Sequence, residues 1–159
     1  MINPDHKLPE PERRVYEPMP DNVYQAQLID VDLKQNRKFK SDEEETRLQF
    51  TFVIIDEGPY YGRRVWEDAR QIVSMRPKTS KLYELIKSLT GKTFTEEECK
   101  RYTEIVTPEF LNGMIGTQKR LALSTHVSQT GNKSNKIQAI MPVEKELPPY
   151  DETKVKNEQ

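Results

Sequence analysis

Residues 46–56 read TRLQFTFVIID, and within them Leu48, Phe50, Phe52 and Ile54 recur at every second position. That period belongs to a strand with one face in a core. EGPYYG follows, and its Gly58, Pro59 and Gly62 stop the strand and turn the chain. RRVWEDARQIV then resumes with β-branched and aromatic residues: Val65, Trp66, Ile72 and Val73. Together the three pieces predict a long hairpin over 46–73. On its second strand Trp66 shares a face with Arg64, Asp68 and Arg70, and the turn sets Tyr60 and Tyr61 beside Arg63 and Arg64. Rings interleaved with arginines suit single-stranded nucleic acid, which needs flat faces for bases and cations for phosphates. The competing reading is a Trp66 half-buried under a long loop.

The rest of the chain organises around that hairpin. Val23 to Leu33 predicts a first strand. Tyr24, Ala26 and Leu28 alternate on one parity, and Ile29, Val31 and Leu33 on the other. Such a slip predicts a bulge, the device that bends a strand in a small barrel. Residues 34–45 read as a loop with Lys34, Arg37, Lys38 and Lys40 around Phe39, followed by SDEEE. Phe39 is either a base-stacking finger or part of a hairpin tip whose opposite charges pair. Ser80 is placed to cap a helix that ends at Gly91, with Leu82, Leu85, Ile86 and Leu89 as its apolar stripe. Thr95 and Glu98 have capping-box spacing, predicting a helix over 96–102 with Cys99 and Tyr102 inward. Thr107–Pro108 starts a third helix, closed by Gly116. Residues 119–127 and 136–143 alternate around QTGNKSN and predict a closing hairpin, with Lys133 in its turn. The expected core includes Leu48, Phe50, Phe52, Leu82, Ile86, Leu121 and Leu123.

Composition divides the chain. Hydrophobic residues are 34% and charged residues 32%, too polar for a core throughout. Residues 1–22 hold five of the eleven prolines, and residues 144–159 are almost wholly polar. The expected organisation is a flexible head over 1–22, one domain over 23–143, and a flexible, expendable tail over 144–159. Each end carries three basic and five acidic residues; of the 25 and 26 in the chain, 19 basic and 16 acidic remain in 23–143. A core charge of +3 is too weak for an avid duplex-DNA binder.

Cys99 is the only cysteine, so an intrachain disulfide and a cysteine-based zinc cluster are excluded. No signal peptide and no long apolar run is present, which predicts a cytoplasmic protein without a membrane partner. His6 and His126 stand apart and read as surface residues. Asp42–Glu45 lacks the spaced ligands and glycine of a calcium loop. No Gly-rich phosphate loop, GxSxG or HExxH occurs. The expectation is a binding protein with no catalytic residue, metal or cofactor.

The predicted order is three strands, then helices, then two strands. This is the order of the OB-fold, so the fold class expected is mainly β, a five-stranded Greek-key barrel with helices between strands 3 and 4. That fold binds oligonucleotides across strands 2 and 3 and the flanking loops, which here map to 46–73, 34–45 and 129–135. In YQAQLIDVD, YYGRRVWED, SKLYELIKSLTG, FLNGMIGTQKRLAL and NKIQAIMPV, over 23–143, the sequence also resembles a phage-type group of small single-stranded-DNA-binding proteins. The resemblance implies protection or presentation of single strands in phage replication or recombination, in a bacterial host cytoplasm. The C-terminus departs from single-strand binders that end in an acidic tail with a hydrophobic tip: here it is PPYDETKVKNEQ. Expected partners are single-stranded DNA, a replication, recombination or host protein, and a second copy of the chain. The alternative function is an OB-like module that binds and inhibits a host factor.

Overall fold

A computed structural model describes residues 17–37 and 44–155. Five strands form one antiparallel sheet: β1 (Asn22–Arg37), β2 (Glu44–Ile54), β3 (Arg64–Arg70), β4 (Gln118–Val127) and β5 (Lys133–Met141), in the order β3-β2-β1-β4-β5. Four helices lie between β3 and β4: α1 (Lys81–Thr90), α2 (Glu96–Lys100), α3 (Tyr102–Ile105) and α4 (Pro108–Gly113).

β1 is the central strand because it is bent. Its register on β2 shifts between Leu28 and Asp30, at the parity slip of the sequence. The early part of β1 pairs with β4, from Asn22↔Leu123 to Gln27↔Gln118, while its stretch from Ala26 to Arg37 pairs with β2. One inward row, Tyr24, Ala26, Leu28, Leu48, Phe50, Phe52, Ile54, Val65, Leu121 and Leu123, makes the core with Leu82, Ile86 and Leu89 of α1. All seven residues expected in the core are in it. Ser80 Oγ accepts from Tyr83 N, and Gly91 closes α1 in the left-handed conformation at φ 79°. The Thr95–Glu98 capping box is complete, but α2 ends at Lys100 and the chain restarts as α3 at Tyr102. Glu67 lies on the inward parity of β3, and Lys81 at the start of α1 forms an ion pair with its carboxylate.

Four expectations are corrected. First, the ladder runs on to Arg37↔Glu44, so Lys34 is a strand residue opposite Arg47 and not a loop residue. Lys133 likewise begins β5, opposite Val127. Second, the sheet is open: β3 and β5 lie near one another with no ladder between them among the described residues. The head segment bridges that gap. Arg63 Nη2 donates to the Glu17 carbonyl at 2.9 Å, and Met19 exchanges two 2.9 Å hydrogen bonds with the Asn135 amide. Third, residues 17–21 are therefore docked: Met19 is 1% exposed, and Asp21 Oδ1 accepts from the amide and hydroxyl of Thr125. Fourth, residues 144–155 are not a free tail. Apolar residues are too few to hold them, and polar side chains on β1 and β4 do so instead, as described next.

Candidate nucleic-acid interface

The outer face of the sheet is the parity opposite to the core. The β1–β2 and β2–β3 registers set its residues in rows: Asp30–Thr51–Trp66, Asp32–Gln49–Asp68 and Lys34–Arg47–Arg70. One step toward the β2–β3 turn, the row is Gln118–Gln27–Val53–Arg64. Thr51 is too short to shield Trp66, whose ring is 52% exposed. The long loop of the competing reading does not cover it among the described residues.

Trp66 opens onto a groove of ≈ 410 Å³ between β3 and β5. Gly62 to Trp66 form one wall, Lys133, Ser134 and Asn135 the other, and Pro18 also lines it. Three cationic residues, Arg63, Arg64 and Lys133, line this groove, and among the described residues no carboxylate does. The opposite end of the face is different. There Asp32 and Asp68 lie beside Lys34, Arg47 and Arg70, and Arg47 Nε and Asp68 Oδ1 are buried with no hydrogen-bond partner among the described residues. Carboxylates so placed offset the field that a phosphate would feel. The strongest anion site on this face is thus the groove, with Trp66 at its edge.

The other residues singled out by sequence separate into three groups. Tyr60 packs on the core, edge-on to Tyr24 with ring centroids 5.9 Å apart, and is no stacking platform at the surface. Burial pushes the phenol of Tyr24 up from its ordinary value. Tyr61 is at the surface but already stacked, 5.8 Å from the ring of Tyr150. Arg37 ends β1 opposite Glu44. Lys38, Phe39 and Lys40 lie outside the described residues. Sequence reasoning missed Pro18, Ser134 and Asn135, which enter the groove only through tertiary pairing. It also missed Arg47, although Arg47, Gln49 and Thr51 alternate against the apolar row and so mark the outer face.

The C-terminal segment crosses the same face. Gln118, 6% exposed, grips Leu147: its Nε2 donates to Leu147 O at 2.6 Å and its Oε1 accepts from Leu147 N at 2.8 Å. Gln25 Nε2 donates to Lys145 O at 3.0 Å, and Gln27 Oε1 accepts from Tyr150 N at 2.8 Å. Asp151 N donates to the Tyr61 hydroxyl at 3.0 Å. The side chain and amide of Thr153 hydrogen-bond Asp151 and hold its carboxyl below the usual range.

No group of three or more His, Cys, Asp or Glu among the described residues is arranged to hold a metal ion. Burial, with Glu98 and Glu96 nearby, pushes the Cys99 thiol up, so it is protonated at neutral pH and a poor nucleophile. Among the described residues no helix is long and apolar enough to cross a membrane. Comparison with protein-family models, with curated proteins and with solved structures finds no match to this chain.

Proposed function

We propose that this chain is a non-catalytic binder of single-stranded DNA with little sequence preference, built on an OB-like barrel. The observation that carries this reading is the groove, in which a half-exposed indole meets Arg63, Arg64 and Lys133 with no carboxylate in the lining among the described residues. Base stacking on a ring together with phosphate contacts from a basic groove is how proteins hold single strands without reading them. A bent central strand, the order β3-β2-β1-β4-β5 and helices between β3 and β4 support the OB reading. The role that the sequence resemblance implies, in phage replication or recombination, goes with this proposal. A fold alone does not fix function, and it is the groove that supports single-strand binding.

One observation favours a second reading, a protein-interaction module. Asp30, Asp32 and Asp68 are spread over the outer face among its cations, a pattern suited to a mixed-charge protein surface. A titration of a labelled oligo-dT, followed by anisotropy at low and high salt, separates the two. Single-strand binding gives an affinity that falls with salt and a quenching of Trp66, the only tryptophan, with the same midpoint. Undetectable or salt-insensitive binding without quenching selects the protein-interaction reading.

A further inference from the structure

Gly62 lines the groove, and the chain's own C-terminal segment packs against it. A Cβ on Gly62 would lie 2.6 Å from Val155 Cγ2, so Val155 is seated directly against the glycine that lines the groove. From Val155 the segment leads back over Tyr61, Gln27, Gln25 and Gln118. This is the outer face of β1 and β4, across which a strand leaving the groove past Gly62 would continue. Tyr150 covers Tyr61, the next ring along that path. The exposed Glu144, Glu146 and Glu152 of the segment outnumber its exposed Lys145 and Lys154, so its net charge disfavours a phosphate arriving there.

We propose that residues 144–155 act as a strap that stays docked when a strand binds, and so set how many nucleotides the site holds. The inference rests on the single-strand reading above. Lifting the strap would leave the buried Gln118 amide without its two partners on Leu147, and the Tyr61 ring without Tyr150. A stacked base replaces only the second of these losses, and the bonds that Gln118, Gln25 and Gln27 make to the segment's backbone are exchanged for bonds to water at a net cost. The exchange therefore runs in favour of the strap. The strand is left with the reach from Gly62 to Trp66 and Lys133, the short end of the roughly 4–16 nucleotides that OB folds occupy.

The test is a ladder of oligo-dT lengths titrated against the full chain, read by anisotropy and by Trp66 quenching. With the statistical gain from extra binding registers divided out, affinity should stop rising at about 4–6 nucleotides. In the full-chain variant Gln118→Ala/Tyr150→Ala, affinity should go on rising beyond that length. Binding of a twelve-nucleotide strand should tighten about tenfold, because Tyr61 is then open to a further base. A wild-type plateau at about ten nucleotides or more, or the same plateau in the variant, overturns the proposal and leaves the single-strand reading standing. Hydrogen exchange on the wild type answers the question without any variant. The amides of Leu147, Tyr150 and Asp151 should keep their protection in saturating oligo-dT, and their deprotection would show that the strap lifts. No binding at any length removes the single-strand reading itself, and the strap's role with it.

Discussion

At Gly62 the backbone takes φ +87°, and the space where a side chain would begin is filled by Val155. Both facts penalise any other residue. Gly62→Ala should cost about 1–2 kcal/mol from the left-handed conformation alone. It should also raise the exchange rate of the Tyr150 amide by pushing Val155 away, which urea denaturation and hydrogen exchange would measure together. Phe50 is a different case: fully buried in the row between Leu48 and Phe52, it is held by volume and not by conformation. Phe50→Ala should cost about 3–5 kcal/mol, seen as a lower denaturation midpoint at unchanged m. Trp66 should barely register in such an experiment, because half its ring is in water. Its signature is in binding: Trp66→Ala should weaken oligo-dT affinity about tenfold with the salt dependence intact. Arg64→Ala should instead flatten the log–log salt slope by about 0.7, the loss of one phosphate contact. Tyr60 and Tyr61 show where reading by residue type stops. They are adjacent and chemically identical, yet one packs on Tyr24 and the other on Tyr150. Nothing local distinguishes them.

Elements whose cause is local were legible in the sequence. The Leu48–Ile54 alternation became β2, Ser80 and Gly91 bound α1, and the parity slip became the bulge of β1. The strap was not legible, for a physical reason. It has no periodicity and few apolar residues, and its anchors are glutamine side chains of β1 and β4 bonding its backbone. A glutamine pointing outward from a strand looks in sequence like any solvated residue. The groove was half legible: Trp66, Arg64 and Lys133 could be named, but their meeting depends on β3 and β5 lying close without pairing. Gln118 is the strap's central anchor, buried yet satisfied by Gln25 and by both backbone groups of Leu147. Gln118→Ala should cost about 1–3 kcal/mol if the strap stays in place with its Leu147 groups unpaired, and less if it detaches. Exchange at Tyr150, whose acceptor on Gln27 the variant leaves intact, distinguishes the two, staying slow in the first case and becoming fast in the second.

Across the molecule, β1 cannot be completed until β4 arrives, and a hundred residues lie between Asn22 and its partner Leu123. The contacts Met19–Asn135 and Gln27–Tyr150 span greater distances still. Pairing so non-local predicts slow folding, in the range of milliseconds to seconds, which stopped-flow refolding would measure. The same long-range contacts bring residues 17–18 and residue 155 to one groove, at Arg63 and at the adjacent Gly62. A bulky or charged label attached at Glu17 or at Val155 therefore sits beside the groove, where it competes with an incoming strand. A pair of dyes attached at Glu17 and Val155 would, by the same proximity, report occupancy of the groove as a change in energy transfer.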